Sequence, residues 1–287
     1  MGREVLIAGG GLIGSAIAWR LAQQGNRVVL ADAGNLGGEA SPAGAGMLSP
    51  RAEFDKPSVW LDLGLQSMRL YPAFVDELQT ETGIDTDFRI FHPEDGLVDP
   101  AALLRALLYA CESRKVRITR DRMTAVDPRD YSAVVIAAGA WSGQIQVKDV
   151  TLPTVVPIKG HLIGFQLEPG VLGPVRRQGE TYVLQRSSGF LIAGSNEQDI
   201  GFDSTVDTAI CEDIHRRAAR LFEPLERATP VKRWIGFRPR SASGEPHIGR
   251  IDGTNVWLAY GHYRNGILLT PVTAQRVADE ISVLPGA

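Results

Sequence analysis

Three groups of residues in this sequence have types and spacings that chemistry can use. Gly9, Gly11 and Gly14 fill the pattern G-x-G-x-x-G, and Asp32 stands eighteen residues after the last of them. Glycines so spaced let a backbone turn tightly, approach a pyrophosphate and pack a helix onto a strand. A carboxylate at that distance accepts hydrogen bonds from ribose hydroxyls. Near the other end, Gly261-His262-Tyr263-Arg264-Asn265-Gly266 crowds glycines and polar residues into one turn. The third group centres on Arg238, a cation in the mostly apolar run Trp234-Ile235-Gly236-Phe237-Arg238-Pro239. A guanidinium there needs a carboxylate partner, either a ligand or an internal salt bridge, and its rigid fork matches one bidentately. Arg264 and Tyr182 are secondary candidates for the same pocket.

The elements that must hold these residues are legible around them. Glu4 to Ala8 reads as a buried strand, and residues 12–24 as a helix with Ile13, Ile17 and Leu21 on one face and Gly25 as its stop. A second strand, Arg27 to Ala31, ends in Asp32. The helix start supplies unpaired N–H groups and a positive dipole end for phosphates. The acidic Asp32 argues against NADP, whose extra phosphate prefers an arginine. At the other end, a strand from Asn255 to Tyr260 runs through the Gly-rich turn into a helix reaching about Ile281, with Pro271 in its first turn. A nicotinamide enzyme has no evident use for this second strand–turn–helix unit. A flavin has one, because reduction places negative charge at N1 and C2=O2, where a helix N-terminus stabilises it. FAD is therefore the expected cofactor.

Between these ends, Val134 to Gly139 reads as a central parallel strand, and Ser41 to Gly46 is a run of small residues suited to close approach of a flat cofactor. Residues 56–82 read as helix, with Pro72 expected to kink or split it. Asp99-Pro100 starts another helix. From 152 to 195 the pattern changes to alternating strands, followed by a helix at about 205–222 and a strand from Val231 to Arg240. The expected fold is α/β: a Rossmann-like FAD-binding domain with an inserted α+β antiparallel-sheet substrate domain. Residues 1–50, 99–150 and 241–287 are assigned to the first, and 51–98 and 151–240 to the second.

Several stretches resemble the glycine oxidase family, the thiamine-biosynthesis branch of the D-amino-acid-oxidase-like flavoproteins. They are GHYRNGILLTP (261–271), EASPAGAGMLSP (39–50), VVIAAGAWSG (134–143), GFRPRSASGEPHIGR (236–250) and YVLQRSSGFLIAGSNEQDIGF (182–202). The resemblance implies that Leu12 and Ile13 lie at the pyrophosphate, and Asp32 and Ala33 at the adenosine ribose. It further implies that Ala40, Ser41, Ala45, Gly46 and Met47 line the path to the isoalloxazine, joined by Ala138 and Gly139. His262, Arg264, Asn265, Gly266, Ile267 and Leu268 would close the site over the flavin ring. Arg238 would grip the substrate carboxylate. The covalent cysteine of the related sarcosine oxidases has no counterpart, because residues 212–287 contain no Cys, so non-covalent FAD is implied. The chain is shorter than the usual member. The main shortening is expected between Thr82–Asp85 and Leu97–Pro100, and a smaller one between Val126 and Ser132.

Composition narrows the remaining classes. A net charge of -3 gives no electrostatic footprint for nucleic acid, which counts against an RNA-modifying flavin demethylase. The two cysteines, Cys111 and Cys211, are far apart and the five histidines show no ligand spacing, so a reduced cytoplasmic protein without a metal is expected. No apolar run is long enough for a membrane span, and no charged-then-apolar leader precedes the first strand. The expected reaction is oxidation of a small amino acid or secondary amine, such as glycine or sarcosine, to an imine by hydride transfer to flavin N5, followed by hydrolysis. No general base is named. Oxygen or a quinone would take the electrons, and a homo-oligomer is compatible with the sequence. The alternatives are an FAD-binding protein with a lost or altered substrate site, and an amine dehydrogenase that passes its electrons to a quinone.

Overall fold

A computed structural model of the chain describes residues 4–34, 36–54 and 56–283. The chain divides into two compact units, Met1–Val156 with Pro239–Ala287, and Pro157–Arg238. The first unit opens with β1 (Val5–Ala8), α1 (Leu12–Gln23) and β2 (Val28–Ala31), close to the sequence reading. Short pieces follow, α2 (Ala40–Ala43), β3 (Met47–Leu48) and α3 (Pro50–Glu53), before the long α4 (Val59–Thr82). A hairpin of β4 (Arg89–His92) and β5 (Asp95–Leu97) leads to α5 (Pro100–Ser113), which Asp99 caps through its Oδ1. Then come β6 (Arg117–Thr119), β7 (Ala125–Val126), β8 (Ala133–Ile136) and β9 (Gln146–Val147).

The second unit is built from β10 (Val155–Gln166), β11 (Arg176–Gln178), β12 (Thr181–Gln185), β13 (Phe190–Gly194), α6 (Thr208–Leu221) and β14 (Lys232–Ser241). The chain finishes in the first unit with β15 (His247–Arg250), β16 (Val256–Tyr260) and α7 (Thr270–Ser282).

In the first unit the strands order as β6-β2-β1-β8-β16-β15. All pairs are parallel except the last. β1, β2 and β8 are buried along their whole length, which is why they read as unbroken apolar runs rather than alternations. β1 lies between β2 and β8, so the winding direction reverses at its carboxyl end. Ligand crevices of doubly wound sheets open at such points.

Pro72 sits inside α4, and the helix runs on through it without splitting. A proline in a helix interior costs roughly 3 kcal/mol. Leu63, Met68, Tyr71, Phe74, Val75 and Leu78 bury themselves in the core beside Trp19 and Leu12, each contributing about 1.5–3 kcal/mol. Packing outweighs the proline. For the same reason residues 51–98, which the sequence reading assigns to the substrate segments, lie in the first unit, where α4 packs on α5 and α7.

In the second unit the sheet order is β11-β12-β13-β10-β14. Ile163, Phe165, Val183, Leu191 and Ala193 face α6 and meet Cys211, Ile214 and Ala218. Strand alternation puts Gly160, Leu162, Gly164, Tyr182, Gly194, Trp234 and Arg238 on the opposite face.

Candidate cofactor and carboxylate sites

The turn after β1 is shaped by glycines that have no substitute. Gly9 adopts φ +117°, and a Cβ on it would run into the Ala137 carbonyl at the end of β8. A Cβ on Gly14 would overlap the Gly9 carbonyl oxygen. Gly11 is the residue before α1 and carries no capping side chain, so beyond the Leu12 N–H the helix start is left open to an anion. Ser41, at the start of the small-residue run, turns its Oγ to this start and accepts the Leu12 N–H at 3.0 Å. It also stands where a Gly11 Cβ would point.

Asp32 is oriented by the same turn. Its Oδ2 accepts the Gly10 N–H at 2.7 Å and its Oδ1 the Gly34 N–H at 3.2 Å. Two carboxylate oxygens offer about four acceptor positions, so capacity remains for two ribose hydroxyls. Ala33 beside it is exposed. Ala45 is buried, and Gly46, at φ +91°, accepts the Val98 N–H through its carbonyl before Met47 and Leu48 enter β3. Ala138 and Gly139 leave β8 beside Gly9. Gly139 takes φ +55°, and a side chain there would meet only open space.

The second turn runs from β16 into α7. His262 is fully buried; its Nε2 shares a 3.1 Å hydrogen bond with Thr273 Oγ1, while its Nδ1 is buried without a partner. Burial, and then the neighbouring His247, pushes this ring down to about 3, so it is neutral. Asn265 donates its N–H to the His262 carbonyl and accepts from Leu269. Ile267 gives its carbonyl to the buried Tyr71 hydroxyl at 2.5 Å, and its Cδ1 fills the place a Gly44 Cβ would need. Leu268 is buried, and Gly266 carries no Cβ to close the approach. The small-residue run and this turn therefore meet, as a site formed from the two ends of the chain requires. The open helix start, the acceptor at Asp32 and the orphaned His262 nitrogen fit the phosphates, ribose and polar ring edge of FAD. Among the described residues no cluster could hold a metal ion and no helix is long and apolar enough to cross a membrane.

The two candidate arginines differ. Arg264 forms a fork-to-fork ion pair with Glu53, Nε to Oε2 and Nη2 to Oε1 both at 3.3 Å. Sequence reading missed Glu53, 211 residues away, because nothing local signals it. Arg238 is half-buried and has no carboxylate within reach among the described residues. Its Nη1 donates to the Asn196 carbonyl at 3.0 Å and its Nη2 to Ser195 Oγ at 2.9 Å. Both partners are neutral, so the positive charge is uncompensated. Tyr182 is buried on the same sheet face, its ring lying over Gly194 next to Ser195.

The loop behind Arg238 is tied to β10. His161 donates from Nδ1 to Asn196 Oδ1 at 3.1 Å, and its Nε2 accepts the Asp207 N–H at 3.0 Å. Burial lowers the pKa of this ring, which matches the neutral tautomer those bonds require. Lys159, almost wholly buried, pairs with Asp203 at 2.8 Å and exchanges backbone bonds with Gln198. The KGH triplet 159–161 was legible only as part of a strand. Its one clue was a glycine in an otherwise β-forming run, which signals close approach of another group.

Against known families, the DAO sequence model, described as FAD dependent oxidoreductase, matches residues 4–90 and 89–280. The glycine oxidase of Geobacillus kaustophilus is 30% identical, with 96% of this chain and 92% of that protein aligned. That alignment runs over 347 positions against 287 residues, so at least 60 positions have no counterpart here. The two matched stretches meet at Arg89–Ile90 in β4, inside the interval where the sequence reading expects the main shortening. The bifunctional protein ThiO/ThiG of Synechocystis is 31% identical over 97% of this chain and 51% of its own length. The crystal structure of the Geobacillus kaustophilus glycine oxidase superposes with a TM-score of 0.92 at 28% identity, covering 99% of this chain and 96% of that one.

Proposed function

Because the chain belongs to the DAO family of FAD-dependent oxidoreductases and is of the glycine oxidase type, we propose that it oxidises a small amino acid or N-methyl amino acid, glycine and sarcosine being the first candidates. When bound, FAD supplies a two-electron acceptor for the hydride on the amine-bearing carbon. The substrate loses that hydride and one amine proton, and water then hydrolyses the resulting imine to a carbonyl compound and an amine or ammonia.

The chain's part is binding and orientation. The glycine turn and α1 receive the pyrophosphate at Gly9, Gly11, Leu12, Ile13 and Gly14, Asp32 with Ala33 the ribose, and the 40–47 and 262–268 segments with Ala138 and Gly139 the ring system. No covalent link is involved. Arg238 takes the substrate carboxylate, and Tyr182 lines the same sheet face. Arg264 serves the cofactor turn and not the carboxylate. Positioning the reacting carbon at about 3–3.5 Å from its acceptor accounts for much of the rate in reactions of this kind.

The observation that carries the reading is the uncompensated guanidinium of Arg238, held in place by neutral oxygens. A buried or half-buried cation without a counter-ion is costly, and a ligand anion removes that cost. The match to a ThiO/ThiG protein supports a place in thiamine biosynthesis. Two separate buried thiols, Cys111 and Cys211, are in keeping with a reducing cytoplasm. The test is anaerobic mixing of the yellow protein with glycine, sarcosine and hydroxy acids. Bleaching by an amine and not by a hydroxy acid is expected, and re-oxidation by oxygen or by a quinone identifies the acceptor. A flavin bleached only by hydroxy acids would remove the amine reading, and one bleached by nothing would favour a chain that binds FAD without catalysis.

A further inference from the structure

We propose that Gly160 is a positioning residue for carboxylate recognition: the bare stretch of β10 that leaves room for the outer end of the Arg238 guanidinium. The proposal rests on the reading of Arg238 as the carboxylate clamp and adds the residue that makes the clamp possible.

The geometry is specific. A Cβ built on Gly160 would stand 2.5 Å from Arg238 Cζ and closer still to both Nη atoms. Both terminal nitrogens are nearer than Cζ, so the outer end of the guanidinium, tilted against the strand, fills the space that a side chain at 160 would take. From that place it reaches its hydrogen-bond partners. Asn196 O and Ser195 Oγ take one N–H each from Nη1 and Nη2. A guanidinium has five N–H donors, so three remain in the plane for the two oxygens of one carboxylate.

Backbone conformation does not explain the glycine. Gly160 lies outside the left-handed region that favours glycine and sits in the interior of a regular strand, where glycine is less stable than residues with a side chain. Glycines 164 and 194 on the same face receive the rings of Phe190 and Tyr182 in the same way, but at Gly160 the group received is a charge. A methyl group there meets the far end of a flexible side chain. The sheet can keep its register while the guanidinium lifts or turns, and the bonds to Asn196 and Ser195 are lost. The strand should tolerate Gly160→Ala, and recognition should not.

The experiment uses FAD-loaded protein and propionate, a carboxylate with no amine to oxidise, titrated by calorimetry. Gly160→Ala is expected to raise the propionate Kd and the amine KM at least tenfold, with a smaller change in kcat and a melting temperature at or above wild type. In an Arg238→Ala background, adding Gly160→Ala is expected to change the propionate Kd less than twofold, because the glycine acts through the arginine. Wild-type propionate affinity in Gly160→Ala overturns the proposal. So does an equal loss in both backgrounds, and so does a Gly160→Ala protein that fails to fold, since the proposal requires Arg238 to absorb the methyl. The Arg238→Ala single variant reports on the clamp alone: unchanged propionate affinity there removes the clamp reading itself, whereas weakened affinity there with no loss in Gly160→Ala removes only the role of Gly160.

Discussion

Arg238 and Arg264 are one residue type in two regions, and the structure gives them opposite partners. Arg264 faces Glu53 in a two-point ion pair within the first unit. Arg238, at the end of the second, faces a carbonyl and a hydroxyl. A carboxylate beside an arginine satisfies its charge and its fork geometry together, leaving little for a ligand. Neutral oxygens hold the guanidinium in place but leave the charge uncompensated. Which of the two arginines is left able to take an anion is therefore decided by what else lies near it, not by its own surroundings in sequence.

The largest effect that bears on this contrast is expected at Arg238. Arg238→Ala should weaken carboxylate binding by about 2–5 kcal/mol, which is roughly thirty-fold to several-thousand-fold. Its melting temperature and FAD content should change much less, because no internal partner is left charged and alone. A large loss of stability with unchanged substrate dependence would reverse the contrast.

At Arg264 the order should be the opposite. Arg264→Ala strands the mostly buried Glu53 carboxylate, at about 1–3 kcal/mol of stability, while the substrate KM moves less than in Arg238→Ala. Adding Glu53→Gln to Arg264→Ala should recover most of that stability, since a neutral amide needs no counter-ion. Thermal melts of the single and double variants check this. A double variant no more stable than the single would deny the ion pair its role.

The smallest effect is a slope against pH. His262 stands two residues before Arg264, and burial holds its ring down at about 3. Such a ring stays neutral when folded and protonates when unfolded. Stability should be full above about pH 6.5 and fall below it by about 1.4 kcal/mol per pH unit toward the folded value. His161, behind Arg238, is lowered in the same direction and adds to the fall. His262→Gln should flatten the dependence of melting temperature on pH without abolishing it. An unchanged slope would assign the whole effect elsewhere.

The cofactor half was legible because its glycines answer to steric necessity. No residue with a Cβ fits where Gly14 meets the Gly9 carbonyl, so the motif advertises its own geometry. The run 56–82 was legible as helix, but whether Pro72 splits it was not, because that is decided by six side chains buried in the folded core. Gly160 showed only as a glycine within a strand, for a related reason. Its purpose lies in a side chain 78 positions away, and a strand pattern records only which residues alternate. Ser41 was reached through the family resemblance; its bond to the α1 start is a feature that only the fold reveals.

The loop from Ser195 to Asp207 has little regular structure, yet Lys159 and His161 of β10 secure it through Asp203, Gln198, Asn196 and the Asp207 amide. A segment fastened at four places to one central strand has little freedom to open alone, and it opens when the strand does. The oxygens that cradle the guanidinium have thus already surrendered their conformational entropy during folding. A carboxylate taken by Arg238, as proposed, would find its receptor preorganised, and little of the binding free energy would be consumed in ordering it.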